Sequence, residues 1–131
     1  MVIQQRWAVF RIAIALTALG LFLLLVPRMG LMRAQAAFGV LGFLGIAPLV
    51  FRKRAGEIAN DERDRLIHLR AIQIGTAMFW LLFAGGLWTA YFHFMNDRVV
   101  PVAAISLLAW LTWTTFELCN AAAMLFLYRR S

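Results

Sequence analysis

VVPVAAISLLAWLTWTTFELCNAAAMLFLY, residues 99–128, runs for thirty residues with a single charge, Glu117. A helix rises about 1.5 Å per residue, and about 20 residues cross the roughly 30 Å of bilayer hydrocarbon. This stretch is therefore long enough to span a membrane, with tilt or with a turn to spare. Its apolar residues are continuous rather than alternating, and lipid requires every backbone group to be paired within the segment, so a helix is expected and a strand is not.

Three further apolar stretches, Trp7–Val26, Ala34–Phe51 and Ala71–Phe94, read the same way. The second has 18 residues, near the lower limit of about 17 for a spanning helix. Pro27 with Gly30, and Asn96-Asp97 with Pro101, mark the connections. The expected fold is all-α: four transmembrane helices in an up-down bundle, forming one transmembrane domain. Their expected limits are about 7–26, 34–51, 61–94 (71–94 in the membrane) and 99–128.

Composition agrees. The chain has 131 residues, 63% hydrophobic and 15% charged, where a soluble domain is about half apolar and a quarter charged. Cys119 is the single cysteine, which excludes an intrachain disulfide and a cysteine-based metal centre. The net charge of +7 comes from twelve arginines and Lys53. These cations sit at the ends of apolar runs, a placement that orients helices in a membrane, and no nucleic-acid partner is expected. Ten of the thirteen lie in the N-terminus, the middle connection and the tail, against Arg28, Arg33 and Arg98 elsewhere. Both termini and the middle connection are thus expected in the cytoplasm, in the cytoplasmic (inner) membrane. Arg6, Arg11 and the apolar core to Val26, followed by Ala34-Gln35-Ala36, share features with a secretory signal. Arg28 and Arg33 crowd the would-be cleavage region, so the first helix is expected to stay.

The middle connection reads as a helix start. Asn60 would cap it, with Asp61 and Glu62 facing the positive helix end. Asp61–Arg65 and Asp64–His68 follow at i,i+4 with the acid first, the favourable order. Two readings of the Asp61, Glu62, Arg63, Asp64, Arg65, His68, Arg70 cluster stay open: a docking post for a cytoplasmic protein, or a self-paired, solvated extension of the third helix.

Helices in lipid associate where small residues let backbones approach. Gly39, Gly42 and Gly45 recur every third residue of the second helix. On an α-helix that row drifts by about 60° per step and would meet two neighbours. Gly75 and Gly86 share a face of the third helix, and Ala8, Arg11, Ala15 and Ala18 a face of the first.

Helical spacing places Glu117 on a stripe with Ala103, Ser106, Trp110, Trp113, Thr114, Asn120, Ala121 and Met124. A charge near mid-bilayer costs at least about 2.5–3.5 kcal/mol, so a partner is needed. From the helix centres, Arg11 lies roughly 9 Å and Glu117 roughly 7.5 Å toward the same side. An intramembrane Arg11–Glu117 pair is expected, with Thr114 or Asn120 completing the carboxylate's hydrogen bonds. A proton- or cation-binding Glu117 is the competing expectation.

His68 and His93 are 25 residues apart on one helix, about 37 Å, and cannot share a metal or haem within a subunit. With no phosphate loop and no triad at matched depth, neither a cofactor nor an enzymatic activity is expected. Trp7 and Tyr128 read as anchors at the cytoplasmic interface, Trp88 and Tyr91 at the outer one.

DERDRLIHLRA, residues 61–71, resembles a stretch in a family of small prokaryotic four-span membrane proteins, often encoded beside helix-turn-helix regulators. The resemblance covers the four-span layout and this one stretch. It implies an accessory or regulatory role and transfers no catalytic residue. The chain is also similar in size to small multidrug transporters, but those carry their acid in the first helix, where this chain has Arg11. The expected function is a small accessory or regulatory membrane protein. Its partners would be the bilayer, other membrane helices in a homo-oligomer or larger complex, and a cytoplasmic protein. The alternative is an oligomeric proton-linked transporter or channel using Glu117.

Overall fold

The structure is a computed structural model that describes residues 3–50, 62–97 and 99–130. Every regular element among these residues is helical. Three helices are long and apolar enough to cross a membrane: α1 (Ile3–Met29), α4 (Glu62–Phe94) and α5 (Val102–Arg130). Between α1 and α4 runs a helical path of three pieces: α2 (Leu31–Ala34), a 3-10 helix (Gln35–Ile46) and α3 (Ala47–Val50). Asn60 and Asp61 lie outside the described residues, as do Arg52, Lys53, Arg54 and Arg98. The expected Asn60 cap and Asp61–Arg65 pair are therefore not described.

The elements run past the apolar stretches read from sequence. α1 starts at Ile3 and takes Pro27 into its last turn. Proline there removes one amide donor where the helix is already ending. Gly30 then turns at φ +80°, a conformation that side-chain-bearing residues rarely adopt. Its N–H closes on the Val26 carbonyl at 3.0 Å, and its own carbonyl accepts from Ala34 N–H at 3.0 Å. One glycine thus ends α1 and opens α2. At the other connection, the Pro101 carbonyl accepts from Ala104 N–H at 3.0 Å and starts α5.

The second apolar segment departs from expectation. It was read as an α-helix, yet twelve of its residues, Gln35–Ile46, form a 3-10 helix, in a class where runs beyond three or four residues are uncommon. A 3-10 helix eclipses residues three apart, and here glycine and alanine fill much of the path, so little side-chain volume collides. The tighter winding also gives more length per residue. Leu31–Val50 covers about 36 Å, where an all-α path would cover about 30 Å.

The eclipsed geometry sorts residues into straight rows. Gln35, Phe38, Leu41 and Leu44 turn inward, while Ala36, Gly39, Gly42 and Gly45 turn outward. Nothing lies within 4 Å of where a Cβ would stand at Gly39, Gly42 or Gly45. The expectation that these three glycines touch two neighbouring helices is therefore corrected: the row does not drift, and it faces away from the protein.

α5 packs on both α4 and α1, and α1 packs in turn on the 3-10 helix. One core cluster joins Ala15, Ala18 and Phe22 of α1 to Ala34, Ala37, Phe38 and Leu41. Phe38 sits between Phe22, at 5.0 Å between ring centres, and Trp110, at 5.8 Å. A second cluster joins Ala8 to Ile67, Ala71, Ala121 and Met124 at the end that carries both termini. The small face expected on α1 is the buried one: Ala8, Arg11, Ala15 and Ala18, with Phe22. Large apolar side chains such as Leu23, Leu24, Leu81 and Trp88 point outward, the surface a helical assembly offers to lipid.

On α4 the glycine expectation holds. A Cβ at Gly75 would stand 2.9 Å from Asn120 Cβ and 3.2 Å from the Phe116 ring. One at Gly86 would collide with the Leu108 side chain. These contacts set α4 antiparallel to α5 at close range, as small residues allow in lipid.

Candidate functional site

Arg11 of α1 and Glu117 of α5 meet as the depth estimate required. Arg11 Nε donates to Glu117 Oε2 at 2.6 Å, and Nη2 approaches the same oxygen at 2.5 Å. Arg11 is 7% and Glu117 6% exposed. The guanidinium also lies over the Trp7 ring, 5.7 Å from its centre. Alanine supplies the room: Ala8 and Ala15, one turn either side of Arg11, are fully buried. Short charge-assisted bonds of this kind are about twice as strong as neutral ones, and they reduce the cost of taking both charges out of water.

The supporting residues differ from expectation. Thr114 is buried, but its hydroxyl donates to the Trp110 carbonyl at 2.7 Å on its own helix. Its one proton is committed there and does not serve Glu117. Asn120 is 2% exposed, pressed against Gly75, and its Oδ1 has no hydrogen-bond partner. An amide oxygen only accepts, so this atom cannot help a carboxylate, and Asn120 Nδ2 forms no hydrogen bond to Glu117 either. An unpaired buried acceptor costs roughly 1–3 kcal/mol. The rest of the α5 stripe is partly rearranged. Thr112 is buried with its hydroxyl on Leu108 and Ala109 carbonyls, while Trp113 is 47% exposed and leans on Phe116.

Two polar ties were not foreseen. Gln35 Nε2 donates to the Ala103 carbonyl at 2.9 Å, and Ser106 Oγ donates to Gln35 Oε1 at 2.5 Å. This amide joins the 3-10 helix to α5 at the end opposite the termini. Gln35 is the single amide, hydroxyl or charged side chain among residues 34–51, and a lone amide in an apolar run needs a partner. Ser106 on the small face of α5 was the signal that could have found it. At the other end, the Tyr128 hydroxyl lies 2.6 Å from Gln4 Oε1 and 2.8 Å from Asp64 Oδ1, sharing its proton between them. Tyr128, expected as an interface anchor, also links α1, α4 and α5.

That link decides the state of the charged extension of α4. Asp64 bonds to Tyr128 rather than to His68, correcting the expected i,i+4 pair. Ile67 and Ala71 are buried in the second core cluster, so one side of the extension is packed. Glu62, Arg63, Arg65 and Arg70 lie on its exposed side, with His68 half-buried. His93 is exposed near the far end of α4, edge-on to Phe94. Compared with known protein families, curated proteins and solved structures, the chain matches none.

Proposed function

We propose that the protein is a small, non-enzymatic accessory or regulatory protein of the cytoplasmic membrane. On this reading it crosses the bilayer four times, with the 3-10 path as the second crossing and both termini in the cytoplasm. It acts by holding its helices in a fixed order and by presenting the charged start of α4 to a cytoplasmic partner. The observation that supports this best is the Arg11–Glu117 pair. A carboxylate held by two guanidinium nitrogens in a buried interface fixes α1 against α5, and a carrier would need it accessible. The DER-type stretch fits the same role, since Glu62, Arg63 and Arg65 are exposed on a helix whose other face is packed.

The second reading, a proton-linked transporter or channel using Glu117, draws on the unpaired Asn120 Oδ1 one turn away. Glu117→Gln separates the two. Loss of bundle stability in detergent, with no pH-driven flux in vesicles to lose, supports the structural pair. Loss of flux at unchanged stability supports the carrier. Co-purification from native membranes, wild type against Arg65→Glu, tests the docking side: a partner lost in the variant supports it, and the same partners from both would contradict it.

A further inference from the structure

At the end that carries both termini, the seam between α1 and α5 opens into a groove of about 450 Å3. Val9, Ile12, Ala122 and Leu125 form its length, and Gln5 and Arg129 line its terminal end. Residues 5, 9 and 12 share one face of α1, and 122, 125 and 129 one face of α5, so polarity falls steadily from the helix ends inward. The volume is within the roughly 300–1,000 Å3 typical of ligand pockets.

We propose that this groove seats an anionic phospholipid, with its phosphate at Arg129 and one acyl chain along Val9, Ile12, Ala122 and Leu125. The polarity gradient is that of a lipid: a charged head at the membrane surface and hydrocarbon below it. Arg129 is exposed and forms no ion pair with a described residue. Its neighbour Arg130 lies over the ring of Phe126, which also lines the groove, 4.5 Å from its centre. Arg6, next to Gln5, is exposed and adds a further positive charge at this end. Cations here favour an anionic headgroup over a zwitterionic one by about 1 kcal/mol each. A second copy of the chain is a poorer occupant, because a two-fold contact at this groove would bring Arg129 against its own equivalent.

The test uses the full chain in detergent micelles, titrated with phosphatidylglycerol or phosphatidylcholine of identical acyl chains and read by native mass spectrometry. Phosphatidylglycerol should bind at least about fivefold more tightly. Arg129→Gln should lower that preference about fivefold and leave phosphatidylcholine unchanged. Arg33→Gln, which removes the same charge at the opposite end, should keep it. Ala122→Trp, which fills the groove, should weaken both lipids. If that variant fails to fold, the comparison of Arg129→Gln with Arg33→Gln decides alone. Equal binding of the two lipids, or an equal loss in the two arginine variants, would overturn the proposal. So would glycerol phosphate competing as well as the whole lipid, which would mean an anion site without a chain.

Discussion

The carboxylate of Asp64 and the hydroxyl of Tyr128, 64 residues apart in sequence, lie 2.8 Å from one another. Through this bond the charged start of α4 is fastened to the end of α5, with Gln4 of α1 on the same hydroxyl. Tyr128→Phe keeps the ring and removes both bonds. A hydrogen bond to a charged group is worth about 1.5–3 kcal/mol when buried, and this partly exposed one should contribute about 1 kcal/mol. Amide hydrogen exchange across Glu62–Arg70 should quicken in the variant while exchange in the middle of α1 and α5 stays slow. Unchanged exchange at residues 62–70 would mean that Ile67 and Ala71 hold the extension by packing alone.

Gly75 and Gly42 separate glycines that permit contact from glycines that do not. Gly75→Leu must push Asn120 and Phe116 away and should cost about 1–3 kcal/mol, as overpacking does. Gly42→Ala meets open space and should be neutral or stabilising by up to about 1 kcal/mol. Thermal unfolding of both variants in one detergent gives the comparison. An equal loss would place a neighbour on the glycine row of the 3-10 helix.

Gln35→Leu removes the amide that joins the 3-10 helix to Ala103 and Ser106. Ser106 retains the Ala103 carbonyl at 3.2 Å, so its hydroxyl is not stranded. Interhelical hydrogen bonds in membranes average about 0.6 kcal/mol and reach about 1.7, and the loss should fall between those values. Unfolding of Gln35→Leu alongside Ser106→Ala, with the double variant, measures it. Additive losses would show that the two side chains do not act together.

How much was legible follows from what lipid enforces. The three long helices were readable because hydrocarbon demands length and continuous apolarity, and both are written in order along the chain. Arg11 and Glu117 were readable as a pair because a buried charge is costly and their depths can be counted along two helices. The 3-10 winding of Gln35–Ile46 was not readable, since composition does not distinguish 3.0 from 3.6 residues per turn. That one difference reversed the facing of Gly39, Gly42 and Gly45. The partners of Thr114, Asp64 and Gln35 were missed for another reason. Each polar side chain had several hydrogen-bond partners within reach, and only the packed geometry selects among them: the helix's own carbonyl for Thr114, α5 for Asp64 and Gln35.

The tie between α1 and α5 is tested most directly by a double-mutant cycle on Arg11→Met and Glu117→Met, read as unfolding free energy in detergent. Each single variant strands a buried charge and should lose about 3–5 kcal/mol. The double variant strands neither, and should recover at least about 2 kcal/mol of the summed loss. Losses that add to within about 0.5 kcal/mol would mean that the two charges do not hold the helices together.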